Sequence, residues 1–150
     1  MRRFETLSEF SDLQGTEIGV SDWLTISQER INGFAEATGD HQWIHVDPER
    51  THSELSMPTI AHGFLTLSLL PKFIHEIFTI GSVTHAINYG ANKIRFTNAV
   101  PVGSRVRGRV NLNRAVLGTG TLRAMSTVTV EIEDAPKPAL VAETITLFYE

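Results

Sequence analysis

The spacing of apolar residues changes character near the middle of the chain. From Ile60 the pattern runs Phe64, Leu65, Leu67, Leu69, Leu70, Phe73, Ile74, Ile77 and Phe78, with no Lys, Arg, Asp or Glu before Lys72. Apolar residues at these intervals occupy most of a helical circumference, so Ile60–Phe78 is predicted to be a buried helix, kinked or divided by Pro71. Beyond it the period shortens to two. Val83, Ile87 and Tyr89 alternate, and Ile94 and Phe96 continue in the opposite phase. That phase change predicts a bulge at Gly90-Ala91. Val106, Val110 and Leu112 alternate with Arg105, Arg107, Arg109 and Asn111, as in a strand with one wet face. Gly118-Thr-Gly120 predicts a hairpin connection, Leu122 to Ile132 a strand, Asp134–Pro138 a turn, and Val141 to Tyr149 a last strand.

The first half is mainly helical. Phe4, Leu7 and Phe10 fit one or two amphipathic turns. Gly15 to Ile26 reads as a strand kinked near Gly19 or Ser21-Asp22. Ser27 is a natural N-cap with Glu29 in the first turn. Ile31, Phe34, Ala35 and Thr38 share a helical face, and Gly39 suits the left-handed residue that ends the helix. Asp40 to Ile44 is expected to be a turn or short loop. Asp47-Pro48 opens a short helix to about Ser53. Helices gathered before strands indicate an α+β class, with an antiparallel sheet curved around the central helix.

The chain has 150 residues, which suggests a single domain over 1–150. A net charge of −4 leaves no electrostatic footprint for nucleic acid. Cysteine is absent, which excludes disulfides and thiolate chemistry. The start, Met-Arg-Arg-Phe-Glu-Thr, lacks the apolar core of a secretory signal. His62, Pro71, Lys72 and His75 interrupt the longest apolar segment, against a membrane span. A cytoplasmic location is the expectation.

Candidate chemistry lies in Phe34-Ala-Glu-Ala-Thr-Gly-Asp40-His-Gln-Trp-Ile-His45 and in Ala61-His62-Gly63 at the head of the apolar segment. Asp40 and His45, five residues apart, fit a general acid/base pair. Equally, Asp40 fits a loop-capping carboxylate and His45 a packing histidine. Gly63, near a helix N-terminus, has a backbone N–H suited to an oxyanion and permits close approach. The rival reading is tight packing against a crossing strand. His41 is expected to face solvent. Asp40, His41, His45 and His52 match no familiar metal-ligand spacing, so no metal is expected. Lys93, Arg95, Arg105, Arg107 and Arg109 read first as a solvated strand face.

These two segments resemble the MaoC-type dehydratases, the (R)-specific enoyl-CoA hydratase branch of the hot-dog fold. Phe34, Ala37, Thr38, Gly39, Asp40, Ile44 and His45 hold the places of the family motif. Ala61-His62-Gly63, Asn88 to Phe96, and Pro101-Val-Gly103 also resemble it. The departures are Phe34 where tyrosine is usual, Gln42-Trp43 in place of Asn-Pro, and Thr51 in place of alanine or serine. They resemble a NodN-like subfamily.

The resemblance implies hydration of a trans-2-enoyl-CoA thioester, with Asp40 and His45 sharing the protons of one water and Gly63 at the thioester oxygen. Gln42, Trp43 and His62 are the expected substrate contacts. No cofactor is implied, coenzyme A being part of the substrate, and a homodimer is. The rivals are a hot-dog acyl-CoA thioesterase and a non-catalytic acyl-CoA or acyl-carrier binding module.

Overall fold

The computed structural model describes all of residues 1–150. In chain order the elements are β1 (Arg2–Phe4), α1 (Leu7–Ser11), β2 (Thr16–Val20), β3 (Leu24–Thr25), α2 (Gln28–Thr38), α3 (Trp43–Val46), α4 (Pro48–Leu55), α5 (Gly63–Ser68), α6 (Leu70–Ile77), β4 (Phe78–Ile80), β5 (His85–Phe96), β6 (Arg105–Gly118), β7 (Thr121–Ile132) and β8 (Leu140–Tyr149). Six strands form one antiparallel sheet in the order β2–β6–β7–β8–β5, with β3 also pairing β6. This is the expected α+β arrangement of a curved sheet around central helices.

Alternation decides which face of each strand meets the helices. Val106, Val110 and Leu112 are buried on one face of β6, opposite Ile132, Val128 and Ser126 of β7. Arg105, Arg107 and Arg109 stand on the other face, paired with Glu133 and Glu131 across the strand. Gly108 lies on the buried face, where a Cβ would meet Phe73 Cβ at 2.6 Å. Glycine there lets α6 press directly onto the sheet.

The predicted bulge is present, and β5 slips register against β8 twice, between Asn88 and Gly90 and between Ala91 and Lys93. Leu117 and Leu122 pair beside the Gly118-Thr-Gly120 turn.

The division expected at Pro71 is present: Ile60–Phe78 is two helices, α5 and α6, divided at Leu69. Three expectations need correction. First, Phe78 already belongs to β4. Pro71 has no N–H and its ring cannot pack behind a continuous helix, so it occupies the first turn of α6, where neither matters. Nor is the segment buried all round, since Phe64 is 65% exposed and lies edge-to-face against Phe96. Third, the presumed loop after Gly39 closes into α3 at Trp43. The structure also contains a two-stranded parallel pair, β1 with β4. It brings Phe4, Phe10 and Phe78 together over one end of the core.

Candidate active site

Three short elements converge at the head of α5. Ser27 caps α2 by accepting a hydrogen bond from Arg30 N, and Gly39 ends it in the left-handed conformation at φ 77°. The chain then turns through Asp40 into α3, which places His45 beneath it. Asp47 caps α4, and Thr51 Oγ1 donates to Trp43 O at 3.3 Å, tying α4 back to α3.

His45 is 7% exposed. Its Nδ1 lies 2.7 Å from the carbonyl oxygen of Ile60. A carbonyl only accepts, so Nδ1 carries the proton and Nε2 keeps its lone pair. Burial pushes the His45 pKa below its ordinary 6.5. The Ile60 hydrogen bond opposes this, nearby His62 adds to it, and Asp40 opposes it. His62 is 2% exposed, and its Nε2 donates to the Asp40 backbone oxygen at 2.9 Å. The two imidazoles stack with centroids 3.8 Å apart and planes inclined at 27°. One side-chain ligand atom from each of Asp40, His45 and His62 lies within 4.8 Å of the others. Asp40 itself is exposed, and its Oδ1 accepts from Gln42 N at 3.4 Å.

A carboxylate and two imidazoles at this spacing invite a metal reading. The ring planes argue against it. Imidazole lone pairs lie in the plane of the ring, and a bound ion sits about 2.1 Å from the nitrogen. Two stacked planes 3.8 Å apart at so small an angle do not meet within that reach of both rings.

Beside this trio a cleft of about 440 Å³ is lined by residues that include His45, Ala61, Gly63, Thr66, Phe96 and Asn98. Gly63 is the first residue of α5, so its N–H has no partner within the helix. A Cβ on Gly63 would meet the Phe96 ring at 3.0–3.1 Å. Close packing alone therefore accounts for a glycine here. Thus Asp40, His45, His62 and Gly63 come together. Gln42 makes no side-chain hydrogen bond, and Trp43 packs under the Arg50 guanidinium at 4.4 Å; neither lines the cleft.

The sequence reading missed Gln28. Its Nε2 donates to His45 O at 2.7 Å and its Oε1 accepts from Thr59 Oγ1 at 2.5 Å, fastening α3 to α2 and to the strand-like segment before α5. Its position straight after the N-cap gave no cue, because a first-turn glutamine ordinarily faces water.

The MaoC-like domain model matches residues 9–135. The chain belongs to the MaoC-like dehydratase family. It is 53% identical over 146 residues to 3-hydroxyacyl-thioester dehydratase Z of Mycobacterium tuberculosis, covering 97% of each chain. It is 46% identical to nodulation protein N of Rhizobium meliloti, covering 95% of this chain and 90% of that one. In fold it is similar to the unliganded R-hydratase PhaJ1 of Pseudomonas aeruginosa, with a TM-score of 0.74 at 21% identity over 96% of this chain and 85% of that one. This MaoC-like chain is an enzyme of the hydro-lyase type, with the hot-dog architecture. No helix in it is long and apolar enough to cross a membrane.

Proposed function

We propose that the protein interconverts trans-2-enoyl and (R)-3-hydroxyacyl thioesters of coenzyme A, using Asp40 and His45 on one water. The observation that carries this reading is the fixed His45 tautomer, which leaves Nε2 basic, on a ring with a nitrogen within 4.8 Å of an Asp40 carboxylate oxygen. In hydration the water oxygen bonds to Cβ while its proton passes to His45 Nε2. Asp40 accepts a hydrogen bond from the second water hydrogen. The electron pair moves through the alkene to the thioester oxygen, which the Gly63 N–H faces as donor. The His45 imidazolium then returns its proton to Cα, so one water is added and no other reactant is consumed. Water is the nucleophile, so no metal or redox cofactor enters the proposal. The name of the mycobacterial relative, a 3-hydroxyacyl-thioester dehydratase, supports the substrate class.

The same reading includes a homodimer through β5. This strand is at the edge of the sheet, and it exposes Ile87, Tyr89 and Phe96. A two-fold axis through such an edge pairs β5 antiparallel with its copy. His85–Asn88 of one protomer then lies near the partner's Phe96–Asn98 end. The first segment borders a cavity of about 560 Å³ between α6 and the sheet, and the second borders the His45 cleft. An acyl chain therefore has room across the interface. Arg105, Arg107 and Arg109 are held by carboxylates, whereas Lys93 and Arg95 on β5 are in no ion pair and can meet coenzyme A phosphates.

The test is hydration of crotonyl-CoA and longer enoyl-CoA substrates by the wild type, Asp40→Asn, His45→Gln and the double variant. Each single change is expected to lower turnover roughly 10²-fold or more, and the double to be little worse. Both singles within a few-fold of wild type would overturn the assignment in favour of a binding module. Release of free thiol in place of hydration would favour a thioesterase.

A further inference from the structure

We propose that His62 is a positioning residue for the Asp40–His45 pair, holding the Asp40 backbone through Nε2–H and the His45 ring by its face. This replaces the expected role of His62 as a substrate contact.

Three contacts converge on this one side chain. Nε2 donates to Asp40 O at 2.9 Å, one face stacks on His45 at 3.8 Å between centroids, and Phe34 lies against the ring at 5.0 Å. His62 is also the residue immediately before Gly63, the N-cap position of α5. It thus links the loop bearing the carboxylate, the ring bearing the base and the start of the helix. Binding Asp40 O assigns the proton to Nε2, so Nδ1 holds a lone pair. That Nδ1 is buried with no hydrogen-bond partner. An unsatisfied buried acceptor is costly and calls for a reason.

Position supplies that reason. The ring lies between Asp40 O and the face of His45 and fixes the spacing between two groups that must reach the same water, where small misplacements cost large factors in rate.

The kinetic test rests on the hydratase reading, and the spectroscopic test does not. His62→Gln keeps an N–H donor at similar reach and removes the ring, whereas His62→Phe keeps the ring and removes the donor. With short enoyl-CoA, both are expected to lower kcat about tenfold or more with KM within about threefold, His62→Gln retaining more. A rise in KM at unchanged kcat would make His62 a substrate contact and overturn the proposal. Wild-type kcat in both variants, or His62→Phe matching His62→Gln, would overturn it as well. In the wild type at pH 8, ¹⁵N imidazole shifts should show His62 with its proton on Nε2. An Nδ1–H tautomer overturns the proposal even if both variants fail to fold. An inactive wild type would sink the hydratase reading and leave this tautomer measurement standing.

Discussion

His45 Nδ1 donates to the Ile60 carbonyl oxygen at 2.7 Å, and this contact leaves Nε2 as the only basic atom of the ring. Ile60 N in turn donates to Ile44 O at 3.1 Å, so the residue before His45 and the segment before α5 are sewn together on both sides. The His45 tautomer is set by a backbone carbonyl, which exchange of the Ile60 side chain does not remove.

The first prediction is a pH profile. Burial holds His45 below 6.5, so the neutral base persists below that value. The acid limb of kcat/KM should fall with a midpoint below pH 6.5. The sign for stability follows from the same depression: the unfolded chain binds this proton more readily. The His45 contribution to stability is thus complete above 6.5 and is lost as pH falls towards the folded value. A limb centred above pH 7 would contradict the assignment of His45 as the base.

Gly63→Ala separates packing from hydrogen bonding. The new methyl meets the Phe96 ring at 3.0–3.1 Å, and Phe96 is half exposed, so the ring can shift. Stability should fall by no more than about 1 kcal/mol. Turnover should fall more sharply, through crowding of the thioester oxygen, and should not recover when Phe96→Ala is added. Full recovery in the double variant would assign Gly63 to packing alone.

Gly108→Ala should destabilise by roughly 1–3 kcal/mol, because its Cβ would lie 2.6 Å from Phe73 Cβ, an atom fixed to the helix backbone. Chemical denaturation measures this directly. An unchanged midpoint would show that α6 can slide away from the sheet.

Glu131 accepts from Arg107 and Arg109 at 2.7 and 2.8 Å. Burial works to raise its pKa, but the two guanidinium groups outweigh it and hold the carboxyl below 4.5. A depressed carboxylate stabilises the fold above its unfolded pKa, and the gain disappears as pH falls through the folded value. Glu131→Gln should therefore cost about 1 kcal/mol at pH 7 and progressively less below pH 4.5. Parallel denaturation curves across that range check the sign.

Sedimentation at micromolar concentration should show a species of twice the 16.7 kDa chain. Gly90→Pro, on the exposed edge strand, should shift it towards monomer by removing a backbone donor at the centre of the β5 pair. A wild-type monomer would refute the interface.

Much of the fold was legible because alternation and helical spacing are local. Val106, Val110 and Leu112 announced the buried face of β6, and Gly39 announced the end of α2. The Pro71 interruption was legible as well, whereas the contact of the exposed Phe64 with Phe96, which arrives from another strand, was not. The parallel pairing of Arg2–Phe4 with Phe78–Ile80 had no local cue, since the partners are more than seventy residues apart in the chain.

The sequence by itself determined which chemical groups are available: a carboxylate at Asp40, an imidazole at His45 and a glycine at Gly63, spaced by a helix end that Gly39 imposes. Only the tertiary structure decided their protonation and alignment. The His45 tautomer depends on Ile60 O, its lowered pKa on burial, and its ring plane on His62, which lies seventeen residues further along. Gln28 acquired its role only when His45 O came within reach. Hydrogen bonds and desolvation act through space, so the same residues acquire these properties only once the chain has brought them together.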